Sequence, residues 1–159
     1  MGLNKGISII ILVLAILFMS KQYLFAGEIS NSDKIIMEIS NNISEEYVTC
    51  SAFYIISSEV LKHSGDLETA SKYQGYSISA IQSALISSKK GRTQEMAEKV
   101  TLSRLDIEVK AMLKDIDNDI SNISFLTNKY LDHCKEIMED PNKMVAEWTD
   151  KILRRHNLN

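Results

Sequence analysis

Two cysteines limit what this chain can fold into more tightly than any other feature: Cys50 in "EEYVTCSAFY" and Cys134 in "KYLDHCKEIM". Each sits on an apolar stripe of helical period. The first stripe reads Ile39, Ile43, Tyr47, Cys50, Tyr54 and Leu61, broken at Ser57. The second runs through Val109, Leu113, Ile116, Ile120, Ile123, Thr127, Tyr130, Cys134 and Ile137, in steps of three and four. Such stepping is the period of a helix and not the alternation of a strand. Both thiols therefore face a core, and the fold has to bring them together or leave both buried and free.

Which of these holds depends on the compartment, and the first 26 residues speak to that. Lys5 and the amino terminus give a short positive region, followed by the apolar run from Ile7 to Met19. The polar "SKQ" and the small residues at Ala26 and Gly27 come next. This is the layout of a bacterial-type secretory signal peptide over residues 1–26, with cleavage expected after Ala26. The run is shorter than the roughly 20 residues a membrane span needs, although an uncleaved anchor over residues 7–26 is the alternative. Either way the remainder is expected outside the cytoplasm, periplasmic or secreted, where paired cysteines persist.

Level arithmetic along the helices tests the pairing. The first helix is read from about Asp33 to His63, stopped at Gly65; the second begins at Asp66 and stops at Gly91. If a third helix ran straight from Thr93 to Glu139 in an antiparallel bundle, Cys134 would stand roughly 40 Å from Cys50 at a rise of about 1.5 Å per residue. Bonded cysteines need Cα atoms within about 7 Å. A reversal in "DIDNDISN", residues 115–122, brings Cys134 back beside position 48, because Asp, Asn and Ser favour turns over helix interiors. Against a reversal, the apolar stepping continues through Ile116, Ile120 and Ile123, and neither Gly nor Pro marks a turn. The reading adopted is the bonded one, with Cys50–Cys134 as a disulfide; one long third helix is the alternative.

The second helix carries a small inner face of Ala70, Tyr73, Ser77, Ala80 and Ala84, which places it inside the bundle, while Gly75 costs it about 1 kcal/mol relative to alanine. A last helix starts at "EDPNK", with Asp140 as cap and Pro141 in the first turn, where its missing N–H is harmless. With one proline and six glycines the composition argues against a strand-and-turn protein. The expected fold is all-α: an up-down bundle of about four helices plus a short C-terminal helix, one disulfide, in a single domain over residues 27–159.

Charge and motifs narrow the function by exclusion. Loss of Lys5 and Lys21 with the leader leaves 16 of the 18 basic residues against 21 acids, a net charge of −5. Such a domain lacks the concentrated Lys and Arg that nucleic acid or an anionic membrane demands. Cys50, His63, His133, Cys134 and His156 could ligate a metal, but none stands at CxxC, HxxxH or HExxH spacing. Met37 and His133, the obvious candidates for holding a haem, fall roughly 18 Å apart in level. The abundant serines form neither GxSxG nor SxxK, so no catalytic residue is nominated and an enzyme ranks third. Asn42-Ile43-Ser44 and Asn122-Ile123-Ser124 match the glycosylation triplet and are read as accidental.

What is left over is aromatic. Tyr47, Phe53, Tyr54, Tyr73, Tyr76, Phe125 and Tyr130 exceed what one buried stripe per helix can use, and Phe53 and Tyr76 fall off the stripes. They form either a wide core or a partly exposed surface that docks another protein or an apolar ligand. The expectation is a small exported binding or accessory module with a protein partner and no cofactor. The alternative is a periplasmic small-ligand carrier with a pocket between helices.

Overall fold

The computed structural model describes residues 30–158, so the expected signal segment and its cleavage position lie outside the described residues. Among the described residues there are five α-helices and no strand: α1 (Asn31–Ser64), α2 (Leu67–Ser88), α3 (Gln94–Asp115), α4 (Ile123–Glu139) and α5 (Pro141–Arg155), with a 3-10 turn over Ile120–Asn122. The expected all-α bundle with its disulfide is what is found. No described helix is long and apolar enough to cross a membrane.

Local chemistry sets each corner. At the end of α1, Gly65 takes φ +88°, its N–H reaches the Lys62 carbonyl and the Asp66 N–H reaches that of Leu61, which closes the helix in a left-handed cap. Asp66 at once caps α2 by accepting from the Thr69 N–H at 3.1 Å. Thr93 does the same for α3 through Met96, and Asp140 for α5 through Lys143, with Pro141 in the first turn.

The reversal expected between residues 115 and 122 is real, and it is built without glycine. Asp117 and Asn118 both take φ +57°, a region their short polar side chains tolerate better than other non-glycine residues. The Asn118 N–H bonds the Leu113 carbonyl at 2.8 Å and the Asp117 N–H bonds that of Lys114 at 3.0 Å, the same left-handed closure seen after α1. Asp119 then accepts from the Ser121 N–H at 2.9 Å and starts the 3-10 turn. Ile116 keeps in step with the α3 stripe because it plugs the core beneath the turn, whereas Ile120, one step on, is exposed.

One expectation is overturned. The interior helix is α1, not α2. From Ile43 to Ser58, α1 is buried on nearly every side, with Val48, Cys50, Ala52, Phe53, Tyr54 and Ile56 packed against Met112, Ile116, Leu126 and Ile137. In α2 only Ala70, Ser77, Ala80, Ala84 and Ser88 are buried, and Ile78 and Ile86 on its other faces are exposed. A narrow stripe of small residues allows one close neighbour; it does not surround a helix.

That close neighbour is α1, and seven-residue steps set the register. Ser44, Ser51 and Ser58 donate from α1 to the carbonyls of Ala84, Ser77 and Ala70 at 3.1, 3.1 and 3.0 Å. Each heptad thus brings a hydroxyl to a backbone oxygen on the antiparallel partner. Ser88 extends the chain of hydroxyls, contacting Ser44 at 2.8 Å and accepting from Thr101 of α3 at 2.9 Å. The hydroxyls are satisfied where an apolar side chain would hold the backbones apart.

Candidate functional site

Cys50 and Cys134 are bonded, with Cα atoms 5.3 Å apart, and both residues are fully buried. The bond pins α1 to α4 at mid-bundle. Beside it, α1 presents Tyr54 toward a cleft left between α2 and α4, a hollow whose lining includes packed aromatic rings.

The floor and one wall are tyrosine. Tyr54 is 2% exposed, and its ring centroid lies 5.3 Å from both Tyr73 and Tyr76 of α2, which are 6.2 Å from each other. The rings are tilted against one another by 81°, 47° and 48°, so they form a cup and not a flat stack. Tyr76 is 45% exposed and forms the lip. Leu131, Lys135, Met138 and Glu139 of α4 make the opposite wall, around a volume of about 170 Å³. Below the cup, Phe53 continues the aromatic contacts to Tyr54 at 5.3 Å and to Tyr130 at 6.1 Å.

Burial pushes the Tyr54 phenol up to about 12, with Tyr73, Tyr76 and Glu139 adding to the rise. The phenol thus stays protonated across the physiological range, available as both donor and acceptor. On the rim, Lys135 Nζ and Glu139 Oε1 are 3.9 Å apart, and both side chains are largely exposed.

Two other hollows are weaker candidates. One, between Glu46, His133, Lys143 and Trp148, holds about 50 Å³, room for little more than water. The other, larger at about 270 Å³, follows the α1–α2 flank at Ile55 and Ile78, but its walls are the long exposed side chains of Glu59, Lys62 and Gln74 in place of packed rings.

The metal-ligating candidates do not converge. His63 is in the last turn of α1, His133 pairs with Glu46 at 2.9 Å, and His156 pairs with Glu38 at 2.8 Å. No group of three or more ligating side chains is assembled among the described residues. Met37 lies against Gly91 at the α2–α3 turn, away from His133. Of the aromatic set, Phe53 belongs to the core because α1 is buried on that face too, while Tyr76 is a surface residue.

The α4 wall went unnoticed in the sequence. Leu131, Lys135 and Met138 stand at i, i+4 and i+7, a second helical stripe beside that of Cys134, and its spacing is the signal that would have revealed it. Comparison with family models, with curated proteins and with solved structures gives no match for this chain. The functional reading therefore rests on the cleft itself.

Proposed function

We propose that this chain is an exported helical binding module whose tyrosine cleft seats one side chain of a protein partner. The observation that carries the reading is the size and make-up of the cleft. Sites for drug-sized ligands occupy roughly 300–1,000 Å³, whereas a cavity of about 150 Å³ holds a single benzene. At about 170 Å³ the cleft fits one ring-sized group. That favours an anchor residue presented by a partner over the cargo of a small-ligand carrier. A half-exposed tyrosine beside a packed aromatic floor is also the kind of residue on which interfaces concentrate their energy. Export is supported by the buried disulfide, a bond that reducing compartments do not maintain.

The test places a photoreactive phenylalanine analogue at Tyr76, or at Leu102 as an exposed apolar control on α3, in cells that make the protein. The expected result is one discrete protein adduct from position 76 and none from position 102. Equal labelling from both positions, or an apolar small molecule that co-purifies in native mass spectrometry, would overturn the reading.

A further inference from the structure

We propose that the group seated in the cleft is the guanidinium of an arginine carried by the protein partner; this rests on the reading of the cleft as a binding site. Tyr76, half-exposed, and Tyr73 offer ring surface to the cleft over the buried floor of Tyr54, at centroid separations of 5.3, 5.3 and 6.2 Å. A planar cation resting in that cup lies within the roughly 6 Å over which an aromatic face attracts positive charge. The occupant is set by what the walls require. An aliphatic group would fill the cup but make no use of the ring quadrupoles or of the carboxylate on the rim.

Guanidinium answers both demands. Its plane stacks on the rings, and its fork of N–H donors pairs with a carboxylate through two parallel bonds. Glu139 supplies that carboxylate on the wall facing the rings. Tyr54, Tyr73, Tyr76 and Glu139 all line the same cleft. Leu131 and Met138 line the remainder and suit the methylene stem of an arginine, which packs on apolar surface while its head is bonded.

Lys135 is the one positive charge in the lining, and its hold on Glu139 is loose: 3.9 Å, with both side chains about two-thirds exposed. Exposed pairs of this kind contribute little, and the lysine stem can carry its ammonium into solvent as the guanidinium enters. The net charge, −3 for the full sequence and −5 without Lys5 and Lys21, adds a long-range pull on cationic partners. Lysine fits less well, because a compact ammonium neither stacks nor pairs in a fork.

The experiment titrates the intact, oxidised protein, carrying 13C-labelled tyrosine, with three probes: the N-acetyl methylamides of arginine, citrulline and leucine. Citrulline has the shape of arginine without its charge. The expected result is saturable movement of the Tyr54, Tyr73 and Tyr76 ring signals with the arginine probe, at least about tenfold tighter than with citrulline. Glu139→Gln should remove most of that tenfold preference for the arginine probe, leaving the smaller part the rings supply, while unchanged shifts elsewhere show that the variant is folded; a preference untouched by Glu139→Gln would overturn the pairing with Glu139. Citrulline or leucine binding as tightly as arginine would overturn the guanidinium assignment and leave the cleft a binding site. Rings unmoved by all three probes would overturn the assignment and the cleft together.

Discussion

The Ser51 hydroxyl lies 3.1 Å from both the backbone carbonyl and the hydroxyl of Ser77, across the seam between α1 and α2. Both residues are buried, so neither group has recourse to solvent. Ser51→Ala removes a bond worth about 1 kcal/mol net and leaves the Ser77 carbonyl its own helical partner. Ser51→Leu does something different: it forces α1 and α2 apart and should cost about 1–3 kcal/mol from overpacking on top of the lost bond. Urea unfolding of the two variants checks the order, and a leucine as benign as alanine would mean that the seam is not tightly packed.

Glycines separate in the same assay. Gly75, in mid-helix, has open space where a Cβ would stand, so Gly75→Ala should stabilise the protein by about 0.5–1 kcal/mol through lost unfolded-state freedom. Gly65 has equal space but sits at φ +88°, and there alanine should cost about 1–2 kcal/mol. Gly91, at φ +72°, adds a contact with the Met37 side chain, whose flexible end can swing aside. Gly91→Ala should therefore cost about as much as Gly65→Ala, and a much larger loss would show that Met37 is held fast.

Acid should loosen α5 before the rest. Glu38 accepts from His156 at 2.8 Å and also pairs with Arg155, which joins the end of α5 to the start of α1. The His156 hydrogen bond, helped by the charge of Arg155, holds the Glu38 carboxyl below its ordinary 4.5. A carboxyl held low in the folded state stabilises it at pH above the ordinary value, and that contribution fades as pH falls through the lowered one. Trp148, half-buried on α5, provides the fluorescence readout. Glu38→Gln should cost about 1 kcal/mol or less, since the pair is at the surface, and should abolish the Trp148 transition below pH 4.5. A transition unchanged in the variant would assign it to other carboxyls.

The disulfide closes a loop of about 85 residues, for which the chain-entropy model gives about 4.5 kcal/mol. Cys50→Ala/Cys134→Ala should lose most of that in urea unfolding. The native protein should take up no thiol-blocking group without reductant, and two after denaturing reduction. Two groups taken up without reductant would remove the staple from the account.

How much of this could be read from the residues varies by element. Gly65 with Asp66, and Asp140 with Pro141, mark their corners because a left-handed cap and a helix start have few chemical solutions. The cysteine pair was informative at longer range: a distance limit made the bond and a straight third helix exclude each other, where periodicity favoured neither, and the structure has the bond. The corner at Asp117 and Asn118 was only half-legible, since both residues stand in for the glycine that usually announces such a turn. Serine was silent in another way. A serine suits a solvated face or a small packing position equally well; Ser44, Ser51 and Ser58 are all buried, and only the partner helix shows what each hydroxyl bonds. The tyrosine cleft was visible as surplus rings without a place, because its second wall lies on a stripe of α4 that the disulfide stripe overshadowed.

Concealment of the sulfur pair also imposes a timetable. Thiol–disulfide exchange needs a thiolate and a disulfide donor to meet in line, and the closed bundle leaves no approach to either atom. Whatever oxidises this chain has to reach it while α4 still stands away from α1. A molecule that zipped up first would carry two sealed thiols until it opened again, so the catalyst of oxidation races the collapse of the chain.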